Sequence, residues 1–173
     1  MSELDEAWAQ ALAEAERRAV SSGRGDIADY LALRASNDLA RRAGVEWLLE
    51  TFSLLAGQAN RAGQGIQMKR QDAHRFAAGH STMVGSALTF RLGVRELKIE
   101  AGWPRAPRDG FVRGGGLALA NIRHFGRRAL DEELMLVRNG NEAPQWVSLE
   151  KTGARAWLSA DRVRFHLERF LGP

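Results

Sequence analysis

A chain of 173 residues, 45% of them apolar, is the size of one globular domain; it has no cysteine, which excludes disulfides, zinc–thiolate centres and cysteine nucleophiles. Its 25 basic residues exceed its 21 acids for a net charge of +4, and all of the basic residues except Lys69, Lys98 and Lys151 are arginine. The acidic start MSELDEAWAQ lacks the basic and apolar regions of a secretory signal, and no apolar run reaches membrane-spanning length, so a cytoplasmic protein with no membrane partner is expected.

Residues 3–20 read as a helix. Ser2 is placed to cap it, with Glu3, Asp5 and Glu6 at the positive end of the dipole and Arg17 and Arg18 at the negative end. Its stripe of Trp8, Leu12 and Ala15 is narrow and rich in alanine, which suits close packing against another helix or a second subunit. Ser21 to Gly25 stops it.

A long helix is expected from Asp26 to Asn60. Val45, Leu48, Leu49, Phe52, Leu55, Ala56 and Ala59 fall at helical spacing and form an apolar stripe. Ser36-Asn37-Asp38 and Gly44 are its weak points. One unbroken helix is the preferred reading, because Leu31, Leu39, Val45 and Leu49 can share a side.

From Ile66 the hydrophobic period becomes two, which marks strands. Ile66 to Arg70 is the first, followed by a polar connection. Val84 to Leu92 and Leu97 to Trp103 flank a turn at Gly93 and make the most secure hairpin. A loop at 104–115 leads to a strand from Leu117 to His124. Leu134 to Arg138 and Gln145 to Leu149 flank Asn139-Gly140, a hairpin-turn signal. Arg155 to Leu158 is a short last strand, and Ser159 caps a closing helix, Ala160 to Leu171, with Val163, Leu167, Phe170 and Leu171 inward.

Helices segregated from strands in sequence imply an α+β fold. The expected architecture is a single domain over 1–173: long N-terminal helices packed on a six- to seven-stranded, mostly antiparallel sheet, with a C-terminal helix. Residues 1–62 form the helical part, 63–158 the sheet and 159–173 the closing helix. One sheet face should lie on the long helix and the other be wet or used in a subunit contact.

Charge follows the same division. Residues 1–62 hold seven Arg against ten acids, for −3, and residues 63–173 hold 18 basic against 11 acidic residues, for +7. The densest basic stretch, Trp103 to Arg128, supplies the candidate ligand-binding residues Arg105, Arg108, Arg113, Gly114, Gly115, Arg123, His124 and Arg127. Bare glycine amides approach an oxyanion closely, and guanidinium forks grip carboxylate or phosphate in two places. The plainer account is a solvated arginine-rich loop whose glycines serve a bulge or a sheet edge.

No catalytic residues, metal ligands or cofactors are assigned. His74 and His80 share a connection with Asp72, but their spacing matches no common metal motif. His166 is expected to be partly buried, and Glu96 and Glu100 to sit on a solvated strand face. The favoured function is a binding or protein-interaction module that self-associates, most simply as a homodimer. One alternative is a domain that holds a small anionic ligand between helix and sheet. The other is nucleic-acid binding through 103–128, which is less favoured because no helix carries a dense basic face.

Overall fold

The computed structural model describes residues 3–150 and 152–172; Ser2, the expected first cap, lies outside them. The chain divides into two compact units, Met1–Arg42 and Ala43–Pro173. Helix α1 spans Glu3–Ser21 and α2 spans Gly25–Arg61, so the long helix is unbroken.

Within the first unit, α1 buries Leu12 and Ala19, and α2 buries Ala28, Asp38 and Ala40. Asp38 explains why a weak helix former sits mid-helix. Its carboxylate accepts from Trp8 Nε1 at 3.1 Å and from Arg41 at 2.8 Å, so it ties the two helices together. The Arg34 guanidinium lies over the Trp8 ring at 5.0 Å. Leu39, expected to share a side with Leu31, is instead 67% exposed. A helix advances 100° per residue, which carries position 39 about 80° away from position 31.

The second unit is a seven-stranded antiparallel meander in sequence order: β1 (Gln67–Ala78), β2 (Ser81–Leu92), β3 (Arg95–Trp103), β4 (Ala118–His124), β5 (Glu132–Val137), β6 (Gln145–Leu149) and β7 (Arg155–Trp157). Helix α3, Ala160–Leu171, closes it, and the Ser159 hydroxyl accepts from Arg162 N as its cap. The expected polar connection after Arg70 is instead strand. A bulge between Gln71 and His74, with Ala73 at φ 54°, lets β1 continue to a tight turn at Gly79-His80. Asn139-Gly140 sits in a seven-residue loop between Val137 and Gln145, longer than the two-residue turn its sequence suggests.

The inner sheet face meets α2 and α3. Val45, Leu48, Leu49, Phe52 and Ala56 of α2 pack with Leu88, Phe90, Leu97, Ile99, Ile122, Leu134, Leu136 and Trp146 of the strands and with Val163, Leu167 and Phe170 of α3. Phe52 and Phe170 each meet Phe90 in a tilted ring contact with 6.4 Å between centroids. Gly44 presses on Leu136, where an added Cβ would come within 2.6 Å of its methyl carbon, and the Gly44 carbonyl accepts from Trp146 Nε1 at 2.8 Å.

The outer face is drier than the alternation implies. Phe76, Met83, Leu119, Met135 and Val147 form a second apolar cluster there with Val112, which comes from the 104–117 connection. That connection holds two 3-10 turns, Pro107–Asp109 and Arg113–Gly115, and part of it serves as a small roof.

Candidate functional site

The residues expected to bind an anion are distributed over both sheet faces. Arg105 stacks on the Trp103 ring at 3.7 Å and donates to the Val84 carbonyl. Asp109, the one acid in the stretch, knots the loop: it accepts from the Arg105 and Ala106 amides at 3.1 and 2.9 Å and from Arg75 at 3.1 Å. Burial pushes that carboxyl up, but these donors override it and hold it below its ordinary range.

Arg108 and Arg113 are exposed. Gly114 and Gly115 have φ of +77° and +74°, and Gly114 lies against Met135. The glycine run is therefore where the loop lies flat on the outer apolar cluster; a Cβ on Gly116 would collide with Met135. Arg123 projects from the outer face of β4. Its successor His124 turns inward, and Arg127 donates to the Arg169 carbonyl of α3 at 2.6 Å.

Arg123 belongs instead to a polar cluster around Glu100. Strand register aligns Lys69, Thr89, Lys98 and Arg123 in one row across four strands, and Gln71, Ala87, Glu100, Asn121 and Glu133 in the next. Glu100 is 5% exposed, not solvated as expected. It meets His74 Nε2 at 2.9 Å, Asn121 Nδ2 at 3.3 Å, Lys98 Nζ at 3.3 Å and Arg123 Nε at 3.4 Å. His74 reaches Glu100 across the intervening strand because β2 presents only Gly85 and Ala87 there. Burial raises the Glu100 carboxyl, yet bonds from His74 and Asn121 and the Lys98 charge bring it below the usual value.

A second polar chain runs through the inner side. His166 is fully buried, more so than its place between Phe165 and Leu167 suggests. Its Nδ1 lies 2.9 Å from His124 Nε2, and its Nε2 lies 2.6 Å from Glu132 Oε2, which also accepts from Arg162 Nε at 3.0 Å. Burial lowers His124 to about 4, and the neighbouring His166 and Arg127 charges act in the same direction against Asp131. Burial alone would raise Glu132; the His166 and Ser148 hydrogen-bonding groups and the charges of His166 and Arg162 hold it at about 2. Glu132 Oε1 is itself shut away from solvent.

Glu132 lies in the wall of an open pocket of about 810 Å³ at the ends of β4 to β7 and the start of α3. Of this site the sequence singles out only Arg123 and His124, as anion-binding candidates, because His124 and His166 stand 42 positions apart and match no local motif. Among the described residues no group of three or more His, Asp or Glu side chains could hold a metal ion, and the His74–His80–Asp72 combination does not assemble one.

A third feature lies on the back of α2. Trp47 and Leu54, seven residues apart, are 44% and 60% exposed. With Glu50, Thr51, Ser53, Gly57 and Arg61 they line a groove of about 570 Å³. No helix among the described residues is long and apolar enough to cross a membrane. No protein family, curated protein or solved structure matches the chain.

Proposed function

We propose that the chain is an interaction module that pairs with a second copy of itself through the back of α2. The observation that carries this reading is the exposure of Trp47 and Leu54 on the side of α2 opposite its buried stripe. Ala43, Trp47, Glu50, Leu54, Gly57 and Arg61 follow the alternating four- and three-residue steps of a helix-pairing seam. Small residues at 43 and 57 leave room for close approach. An antiparallel partner with its two-fold axis between Leu55 and Ala56 sets Leu54 over the partner's Gly57 and Glu50 against the partner's Arg61, and leaves Trp47 to pack just past the C-terminal end of the partner's α2. The patch is thus self-complementary, as a two-fold interface requires. The seam is short of the roughly 800 Å² per partner of a standard interface, so a concentration-dependent dimer is expected.

The alternative of a ligand held between helix and sheet has less support. In the second unit that interval is filled by Leu48, Leu49, Phe52 and Phe90, all 0% exposed.

Sedimentation over a concentration series tests the proposal. Leu54→Glu should leave a folded monomer. Glu50→Arg and Arg61→Glu should each weaken the dimer, and the double reversal should restore it. A wild-type chain that stays monomeric throughout, or a double variant no better than the singles, overturns it.

A further inference from the structure

We infer that the roof over the outer sheet face binds single-stranded nucleic acid, with the Phe111 ring stacking on a base and arginines meeting the phosphates. The loop crosses from Ser81, at the start of β2, to Met135 on β5, with Val112 seated in the outer cluster between them. It carries Arg108 and Arg113, both exposed. Arg155 reaches in from β7, its guanidinium 3.5 Å from where a Cβ on Gly114 would sit. The one acid of the loop, Asp109, is 5% exposed and already taken by Arg75 and two loop amides. Arg108, Arg113 and Arg155 make no ion pair among the described residues. The charge the loop leaves to meet a partner is therefore positive.

The placing of Phe111 sets this loop apart from a merely solvated basic stretch. Val112 turns inward, whereas the Phe111 ring beside it is 74% exposed. Its backbone is pinned on both sides: the Ser81 hydroxyl donates to the Phe111 carbonyl at 3.0 Å and accepts from the Phe111 amide at 3.3 Å. Gly110, at φ +88°, permits that approach, since a Cβ there would come within 2.5 Å of the Ser81 oxygen. The loop thus holds an aromatic ring in water, in sequence between Arg108 and Arg113. Guanidiniums grip phosphate, and a ring in their midst stacks on any unpaired base. A duplex keeps its bases inside, and an acidic peptide offers Phe111 no flat partner. From β2 to β5 is three strand spacings, about 14 Å, which suits a run of nucleotides better than one small anion.

Fluorescence anisotropy of the full chain with labelled oligothymidylate and oligouridylate tests the inference, beside a mixed-sequence duplex and polyglutamate. Single strands should bind more tightly than either, and their log affinity should fall against log salt with a slope of about −2, from about 0.7 for each of the unpaired arginines. Arg108→Ser with Arg113→Ser should flatten that slope to about −0.7. Phe111→Ala should weaken binding about tenfold through the lost base stack and keep the slope. Arg17→Ser with Arg18→Ser, an equal loss of charge on α1, should change neither. All these side chains are exposed, and circular dichroism checks that the variants fold. No binding to either strand, duplex or polyglutamate bound as tightly, or either loop variant without effect overturns the inference. The α2 seam has no part in these outcomes.

Discussion

The two faces of one sheet are held in different ways. The inner face has two helices on it, so most of its alternate residues are apolar, and Phe52, Phe90 and Phe170 meet at its centre. The outer face has only part of a connection for a roof. Its apolar cluster is small, and the rest of its polar surface is organised around the buried Glu100. The difference teaches that coverage decides what a strand face becomes. Alternation sorts residues to faces; the element that lands on each face decides whether a polar residue there is solvated or must be hydrogen-bonded.

The largest expected effect comes from the inner face. Phe52→Ala leaves a cavity beneath α2 and should cost about 3–5 kcal/mol in urea unfolding. A loss under 1 kcal/mol would mean that α2 is not held as described.

Acid comes next, because it attacks the His124–His166–Glu132 chain on that same face. His124 is lowered to about 4 in the fold against an ordinary 6.5. Its neutral form therefore contributes stability that is whole above pH 6.5, is lost as pH falls towards 4, and changes no further below that. The shift corresponds to about 3 kcal/mol at one 1.36 kcal/mol step per pKa unit. Glu132, held at about 2, contributes stability that is complete above pH 4.5 and is lost as pH falls through 2. Unfolding measured against pH should show one long acid limb, and His124→Gln should flatten it between pH 6.5 and 4 while leaving the part below 4.5. An unaltered limb would separate His124 from the fold's acid sensitivity.

The smallest effect tests the roof. Val112→Ala removes two carbon groups from the outer cluster and should cost about 1.5 kcal/mol. If it matches Phe52→Ala, the two faces are not held differently after all.

The parts legible beforehand were those that repeat locally. The α2 stripe, the β2–β3 pairing and the Ser159 cap lie where spacing placed them, because each depends on neighbours a few residues away. The β1 extension was hidden because a bulge with Ala73 at positive φ breaks the period-two pattern. Glu100 was placed on the right face and given the wrong surroundings. Its burial depends on His74 arriving over Gly85, which no property of β3 reveals.

By itself the sequence determined the class of fold, the order of its elements and the side of α2 that would be buried, since periodicity and caps are properties of short segments. Only tertiary structure decided that His124, His166 and Glu132 form one hydrogen-bonded chain, and that carboxylates gather around a pocket in an otherwise basic unit. Those depend on contacts between residues 34 and 42 positions apart, and such distances are closed by chain packing, to which local spacing is blind.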